Sequence, residues 1–279
     1  EVSLQIRELF HEYTDMVEPL SLDEAFLDVT ENKPGIEYAS HLAREILQEI
    51  FQRTRLTASA GVSYNKFLAK IASDVKKPAG LTVVTPEQAE EFIDVLPIRR
   101  FHGVGRVTEK RMLARGIVNG SDLRQCSLED LQRWFGKSGQ YYYDIVRGVD
   151  KRAVVPNRVR KSIGKETTLV EDCTDKGAMV LILDKLAKKV EALLSARNTS
   201  GLTLTLKVKY DDFQNVTRSL TEVEPIEDAE TMLSLAEKML AKTEAGMRPV
   251  RLLGLTISNL TTDIPVEEAA QMELPFHLN

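Results

Sequence analysis

Ser21-Leu22-Asp23-Glu24-Ala25-Phe26-Leu27-Asp28-Val29 sets two adjacent carboxylates inside an apolar run that follows Glu18-Pro19. Residues 20–29 read as a strand that contains the acid pair. Burying ionised carboxylates is expensive unless a cation or a metal compensates. Paired carboxylates at a strand commonly hold Mg²⁺ for chemistry on phosphates. The same residues also read as two acids at a strand end facing water. Successive strand residues point to opposite faces, so Asp23 and Glu24 converge on one ion only if a turn opens the strand. Pro19 and Ser21 can supply that turn.

Outward from this run, residues 1–16 read as an amphipathic helix. Residues 36–53 carry Ile36, Ala39, Leu42, Ala43, Ile46, Leu47 and Ile50 at helical spacing. A strand over 56–62, a helix over 65–75 with Asn65 as its cap, and a short strand over 81–84 complete an α/β unit. From Pro86 to about Asp150 strand signals vanish and short helices separated by Gly remain. Residues 151–159, basic and with Pro156, read as a linker. Residues 160–260 read strand, helix, strand, strand, helix, strand, the βαββαβ order of a ferredoxin-like unit. Residues 261–279 read as a loose tail. The expected fold is α+β and multidomain.

The chain has 279 residues, 43% of them apolar, and a net charge of −5. No uncharged apolar run approaches membrane-spanning length, so no membrane partner is expected. Cys126 and Cys173 form no metal-ligand spacing and no disulfide framework, which fits a reducing cytoplasm. The first residues read as helix, not as a signal peptide, and the start on Glu1 inside that pattern suggests a fragment of a longer protein. Charge is unevenly distributed. Residues 97–118 carry Arg99, Arg100, Arg106, Lys110, Arg111 and Arg115 against Glu109 alone. Residues 147–165 carry Arg147, Lys151, Arg152, Arg158, Arg160, Lys161 and Lys165 against Asp150 alone. Two basic strips of this kind suit a phosphate backbone, or else are ordinary solvated faces.

Four further stretches carry chemistry. Lys76-Lys77-Pro78-Ala79-Gly80-Leu81 is a turn after a helix. Phe101-His102-Gly103-Val104-Gly105-Arg106 precedes a helix that ends at Arg115-Gly116, the layout of a helix–hairpin–helix. Its backbone N–H groups can hold a DNA phosphate without reading sequence. His102 reads as a turn residue. Tyr141-Tyr142-Tyr143 and Trp134 read as core packing. Arg160-Lys161-Ser162-Ile163-Gly164-Lys165-Glu166-Thr167-Thr168 reads as a charged edge strand or a DNA-facing one. Gln271-Met272-Glu273-Leu274-Pro275-Phe276 reads as an acidic terminus or as an extended peptide with apolar anchors.

Val17 to Val29, together with these motifs, closely resembles the Y-family translesion DNA polymerases, and among them the bacterial DNA polymerase IV (DinB) group. The resemblance implies an incomplete palm over 1–86, lacking its first strand and the fingers. It implies an all-helical thumb over 87–150 with the helix–hairpin–helix, and a little finger over 160–260. It implies that Asp23 and Glu24 are catalytic and ligate two Mg²⁺ ions, with another acid of the family's set lying on the absent strand. Lys77 would face the triphosphate of a deoxynucleotide. Gly103, Val104, Gly105 and Lys110 would contact primer–template DNA, as would Ser162, Lys165 and Thr167 or Thr168. Lys207 and Lys209 would extend that surface. Gln271, Met272, Leu274 and Phe276 would bind a sliding clamp. The implied activity is low-fidelity, template-directed nucleotidyl transfer without proofreading, by a monomer. A non-catalytic module binding DNA and clamp is the alternative, and for these 279 residues the absent acid favours it. A nucleotide cyclase sharing the palm chemistry explains neither the thumb motif nor the tail.

Overall fold

A computed structural model describes residues 2–157 and 159–261. The chain divides into two compact units, Glu1–Arg158 and Val159–Asn279.

The first unit opens with α1 (Val2–Tyr13), followed by a hairpin of β1 (Val17–Pro19) and β2 (Ala25–Leu27). Val17 pairs with Leu27 and Pro19 with Ala25. Next come α2 (Ala39–Thr54), β3 (Ala60–Val62), α3 (Lys66–Val75) and β4 (Leu81–Val83). β3 and β4 are parallel, as a βαβ crossover requires, and form a two-stranded sheet separate from the hairpin. Leu9 and Tyr13 of α1 bury against Leu42, Ile46 and Ile50 of α2. Asn65 caps α3 as expected, its side chain accepting from the Leu68 N–H. β3 lies against α3 so closely that a Cβ at Gly61 would sit 2.0 Å from the Ala69 carbonyl oxygen and 2.4 Å from the Ser73 nitrogen. Both are backbone atoms and neither can rotate away. Gly61→Ala is therefore expected to destabilise the first unit by at least ~1–3 kcal/mol, read as a lowered urea midpoint.

Short helices follow: α4 (Pro86–Asp94), a 3-10 turn (Ile98–Arg100), α5 (Arg106–Leu113), α6 (Gly120–Arg124), α7 (Leu128–Phe135) and α8 (Ser138–Ile145). The starts of α4, α6 and α7 are capped by side chains. Thr85 and Gln88 form a capping box before α4, which has Pro86 in its first turn. Asn119 and Asp122 do the same for α6, and the Ser127 hydroxyl accepts from the Asp130 N–H at α7. Phe67, Leu68 and Ile71 of α3 share one core with Ile93, Met112, Leu131 and Ile145. The Phe67 and Phe101 rings stand 5.5 Å apart. Packing thus runs without a break across residue 86.

The second unit is β5 (Ser162–Cys173), α9 (Lys176–Ser195), β6 (Gly201–Tyr210), β7 (Asn215–Ile226), α10 (Ala229–Leu240) and β8 (Val250–Leu260). The βαββαβ chain order is the expected one. The sheet order is β5-β8-β6-β7, all antiparallel. A ferredoxin-like sheet places its first and third strands at the centre. Here the second and fourth, β6 and β8, are central, and this corrects the ferredoxin-like expectation. The cause lies in composition. β8 buries Val250, Leu252, Leu253, Leu255, Ile257 and Leu260 and belongs inside, whereas β5, with Lys165, Glu166, Glu171 and Asp172, suits an edge. Both helices cover one face of the sheet, where Leu204, Leu206 and Val208 meet Met179, Leu183 and Met232.

Candidate nucleotide and nucleic-acid sites

The acid pair does not lie in a strand. β1 ends at Pro19, and residues 21–23 form a tight bend whose Leu20 and Ser21 N–H groups donate to the Glu24 carbonyl at 2.8 and 3.2 Å. Asp23 and Glu24 occupy the hairpin tip. The turn that Pro19 and Ser21 were expected to supply is present, and it removes the burial cost on which the strand reading rested. Asp23 is exposed and Glu24 half-buried. The Ser21 hydroxyl donates to Asp23 Oδ1 at 2.6 Å. That bond, then the backbone, then the positive charge of Lys77 and Lys70 hold the Asp23 carboxyl below its ordinary range. α1 steadies the tip: Arg7 donates to the Ser21 carbonyl at 3.0 Å, and the Ser3 hydroxyl donates to the Leu22 carbonyl.

Two lysines complete the site. Lys70 Nζ lies 3.2 Å from Glu24 Oε1 and 3.3 Å from Asp74 Oδ2. Lys77 Nζ lies 2.6 Å from Asp74 Oδ1, and this bond raises the lysine above its ordinary value. Asp23, Glu24, Lys70 and Lys77 all line one cleft of about 690 Å³, whose walls include Phe10, Phe26 and Ile46. Lys70, to which the sequence alone assigned no role, lines this cleft too. Its signal was the helical i,i+4 spacing to Asp74 ahead of the Lys-Pro turn.

Hard carboxylate oxygens suit Mg²⁺, which is usually held by one or two carboxylates plus substrate phosphates and water. Asp23 and Glu24 fit that requirement. Among the described residues no group of three or more His, Cys, Asp or Glu side chains comes together to hold a metal. The donor set is thus two carboxylates at a hairpin tip.

At the helix–hairpin–helix, Gly103 has φ +89°, a conformation that favours glycine, and Gly105 is the N-cap of α5. Gly105 offers no side-chain cap, so the first-turn N–H groups of α5 have no side-chain acceptor. The Val104 N–H donates to the Phe101 carbonyl at 3.0 Å inside the turn. The helix before the turn is a single 3-10 turn. The Tyr141 hydroxyl donates to the His102 carbonyl at 3.0 Å and braces the bend. Burial, then the charge of Lys70 and Arg152, hold His102 below its ordinary value, in keeping with a neutral turn residue. Lys110 lies exposed on α5. Tyr142 is buried and Trp134 packs against the same core, with the Arg115 guanidinium 5.3 Å from its ring centre.

In the second unit, pleating separates the residues expected to act together. Ser162 pairs with Ser258, and Ser258 with Thr203, on the face that the helices leave open. Lys165 and Thr167 have the parity of buried Ile163 and lie on the helix side, beside Leu186, Lys189 and Leu193 of α9. Thr168, through Leu252, and Lys207 and Lys209 share the open face with Ser162. Hydroxyls tie that face together, Thr203 to Thr221 and Thr205 to Ser219, each at 2.9 Å. Gln271, Met272, Leu274 and Phe276 lie outside the described residues.

The chain matches the impB/mucB/samB family over residues 1–74, the DNA polymerase-iota thumb domain over 99–150, and the impB/mucB/samB family C-terminal domain over 160–274. It is 51% identical to DNA polymerase IV of Bacteroides fragilis, an alignment covering 96% of this chain and 72% of that one. It is 50% identical to DNA polymerase IV of Alkalilimnicola ehrlichii over 98% of this chain and 76% of that one. Among solved structures, a Y-family DNA polymerase chimera of Dbh and Dpo4 has a TM-score of 0.82 at 28% identity, covering 93% of this chain and 75% of that one. An insertion ternary complex of Dbh DNA polymerase has a TM-score of 0.60 at 27% identity, covering 92% and 75%. Identities near one half over nearly the whole chain do not arise without common descent, and the chain belongs to the Y-family DNA polymerases, in the DNA polymerase IV group, and by that membership is a DNA-directed DNA polymerase.

Proposed function

We propose that this protein extends a primer on damaged templates by transferring deoxynucleotides to the 3′ end, with Asp23, Glu24, Lys70 and Lys77 as its chemical centre. The observation that carries this reading is the placement of all four side chains on one cleft. When bound, two Mg²⁺ ions would neutralise the phosphates and favour attack of the primer hydroxyl at the α-phosphate. Asp23 and Glu24 would hold them. Asp23 suits the task because it stays ionised and reachable. Glu24 suits it less directly, since Lys70 holds it until a competing cation arrives. Lys77 would leave Asp74 for the triphosphate, exchanging one charge-assisted bond for another.

The α5 N-terminus with Lys110, and the open face of the second unit, would hold the primer–template through its backbone. Lys165 and Thr167 would meet a strand passing the β5 edge. The peptide over 271–276, with Gln271, Met272, Leu274 and Phe276, would dock in the groove of a sliding clamp and raise the local concentration of primer ends. By its likeness to the family, synthesis would proceed without proofreading, by a cytoplasmic monomer. The non-catalytic alternative is not favoured, because the relatives compared are polymerases along nearly all of this chain.

A labelled primer–template incubated with the chain, Mg²⁺ and four deoxynucleotides tests this reading. Native and denaturing gels of one sample report binding and extension. Extension is expected; a shifted but unextended primer would refute the catalytic reading and leave the binding one.

A further inference from the structure

We propose that Glu166 acts as a built-in competitor of DNA phosphate for Lys207, and thereby sets the affinity of the open sheet face for a nucleic-acid backbone. This rests on the reading that the open face meets DNA. Lys207 Nζ and Glu166 Oε2 lie 2.8 Å apart, with side-chain exposures of 36% and 52%. The two residues are not neighbours in the sheet. Glu166 of edge strand β5 pairs with Gly254 of β8, and Gly254 pairs with Lys207 of β6. Strands lie about 4.8 Å apart, so the pair reaches across a whole intervening strand, roughly 10 Å from backbone to backbone.

That crossing is possible because position 254 carries no side chain. A Cβ at Gly254 would stand 2.9 Å from the Glu166 Cβ and fill the path. On one side the next two rows of the face are neutral, Thr256, Thr205 and Ser219 and then Ser162, Ser258 and Thr203, while the row on the other side carries Lys209 beside Leu252. The charged groups among the paired positions of this face are Glu166, Lys207 and Lys209. Glu166 therefore halves the net positive charge of the face and occupies the ammonium that a phosphate would use. The pair is exposed, and exposed pairs are weak, so a phosphate can displace the carboxylate. The device tunes binding and does not block it, in keeping with an enzyme that must release its template.

The test is fluorescence anisotropy of a primer–template duplex with the full chain across a salt series. Glu166→Gln is expected to tighten binding ~2–5-fold at low salt and to steepen the slope of log affinity against log salt by about one unit. Lys207→Ala is expected to weaken binding and flatten that slope. In the Glu166→Gln, Lys207→Ala double variant the gain should vanish. Glu237→Gln, which removes the same charge from exposed α10 on the helix side, should change nothing. If Lys207→Ala weakens binding but Glu166→Gln leaves it unchanged, the competition is refuted and the DNA-binding face stands. A gain that persists in the double variant also refutes it, because Glu166 would then act without Lys207. A Lys207→Ala variant that binds normally overturns both the competition and the reading of the face.

Discussion

Asp23→Ala is expected to lower the rate of primer extension by ~10²–10³-fold, on the scale of removing one preorganised charge-stabilising group, because a carboxylate that would hold Mg²⁺ is gone. The fold should not register the change. Asp23 is exposed, and its carboxylate accepts from the Ser21 hydroxyl two residues away. Stability should therefore stay within about 0.5 kcal/mol. The hairpin tip is held from elsewhere, by Arg7 on the Ser21 carbonyl and by the Leu20 and Ser21 N–H groups on the Glu24 carbonyl. DNA binding should persist, because the α5 N-terminus and the open sheet face are untouched. Asp23→Asn should lose extension equally, since it keeps the shape and the acceptor for Ser21 but removes the charge. A denaturing gel reads extension and a native gel reads binding from one sample. Wild-type extension by Asp23→Ala would remove Asp23 from the mechanism, and with it the meaning assigned to the cleft.

The parts of the molecule legible in its sequence are those governed by local periodicity. The 3.6-residue repeat of α2 and the Asn65 cap of α3 reappear where expected. What failed was non-local. The run from Leu20 to Val29 has strand composition, yet Ser21 bonds Asp23 and turns the chain, because a local hydroxyl–carboxylate contact competes with a ladder that has no further partner there. The order of strands in the second unit follows from which strand best tolerates burial on both flanks. That is a comparison among four segments, invisible within any one. The motif Ser162 to Thr168 suggested a single contact surface, and pleating divides it between two faces. The residues joining α3 to the linker were missed for a related reason. Glu18, Lys66 and Asp150 are far apart in sequence, and charged residues read one at a time look like solvated surface.

Those three residues carry the second large effect. Lys66→Met is expected to destabilise the first unit by ~3–5 kcal/mol, the cost of leaving a buried charge without its partner. Lys66 Nζ lies 2.5 Å from Glu18 Oε2, with side-chain exposures of only 10% and 18%. The ammonium also donates to the Ala153 carbonyl at 3.1 Å, and the Val155 N–H donates to the same Glu18 oxygen at 2.8 Å. Asp150 accepts from the Phe67 N–H at 3.0 Å and pairs with Arg152 at 2.7 Å. The start of the linker is thus tied to the N-terminus of α3. Burial works to raise the Glu18 carboxyl, but Lys66 and the Val155 N–H outweigh it and hold the carboxyl below its ordinary range. A depressed folded value contributes stability above the ordinary carboxylate range, and that contribution is lost as pH falls through the folded value. In Lys66→Met burial remains while the strongest compensating partner is gone, leaving the Val155 N–H and the charge of Arg152 to oppose it. The depression shrinks, so the variant should lose less stability than wild type as pH falls. Removing both charges, in Glu18→Met with Lys66→Met, should recover part of the loss while leaving the Val155 N–H without its acceptor. Urea melts of the three variants across a pH series separate these cases. A Lys66→Met midpoint that matches wild type, with the same pH slope, would mean that water or rearrangement already satisfies Glu18 and that the pair holds nothing in place.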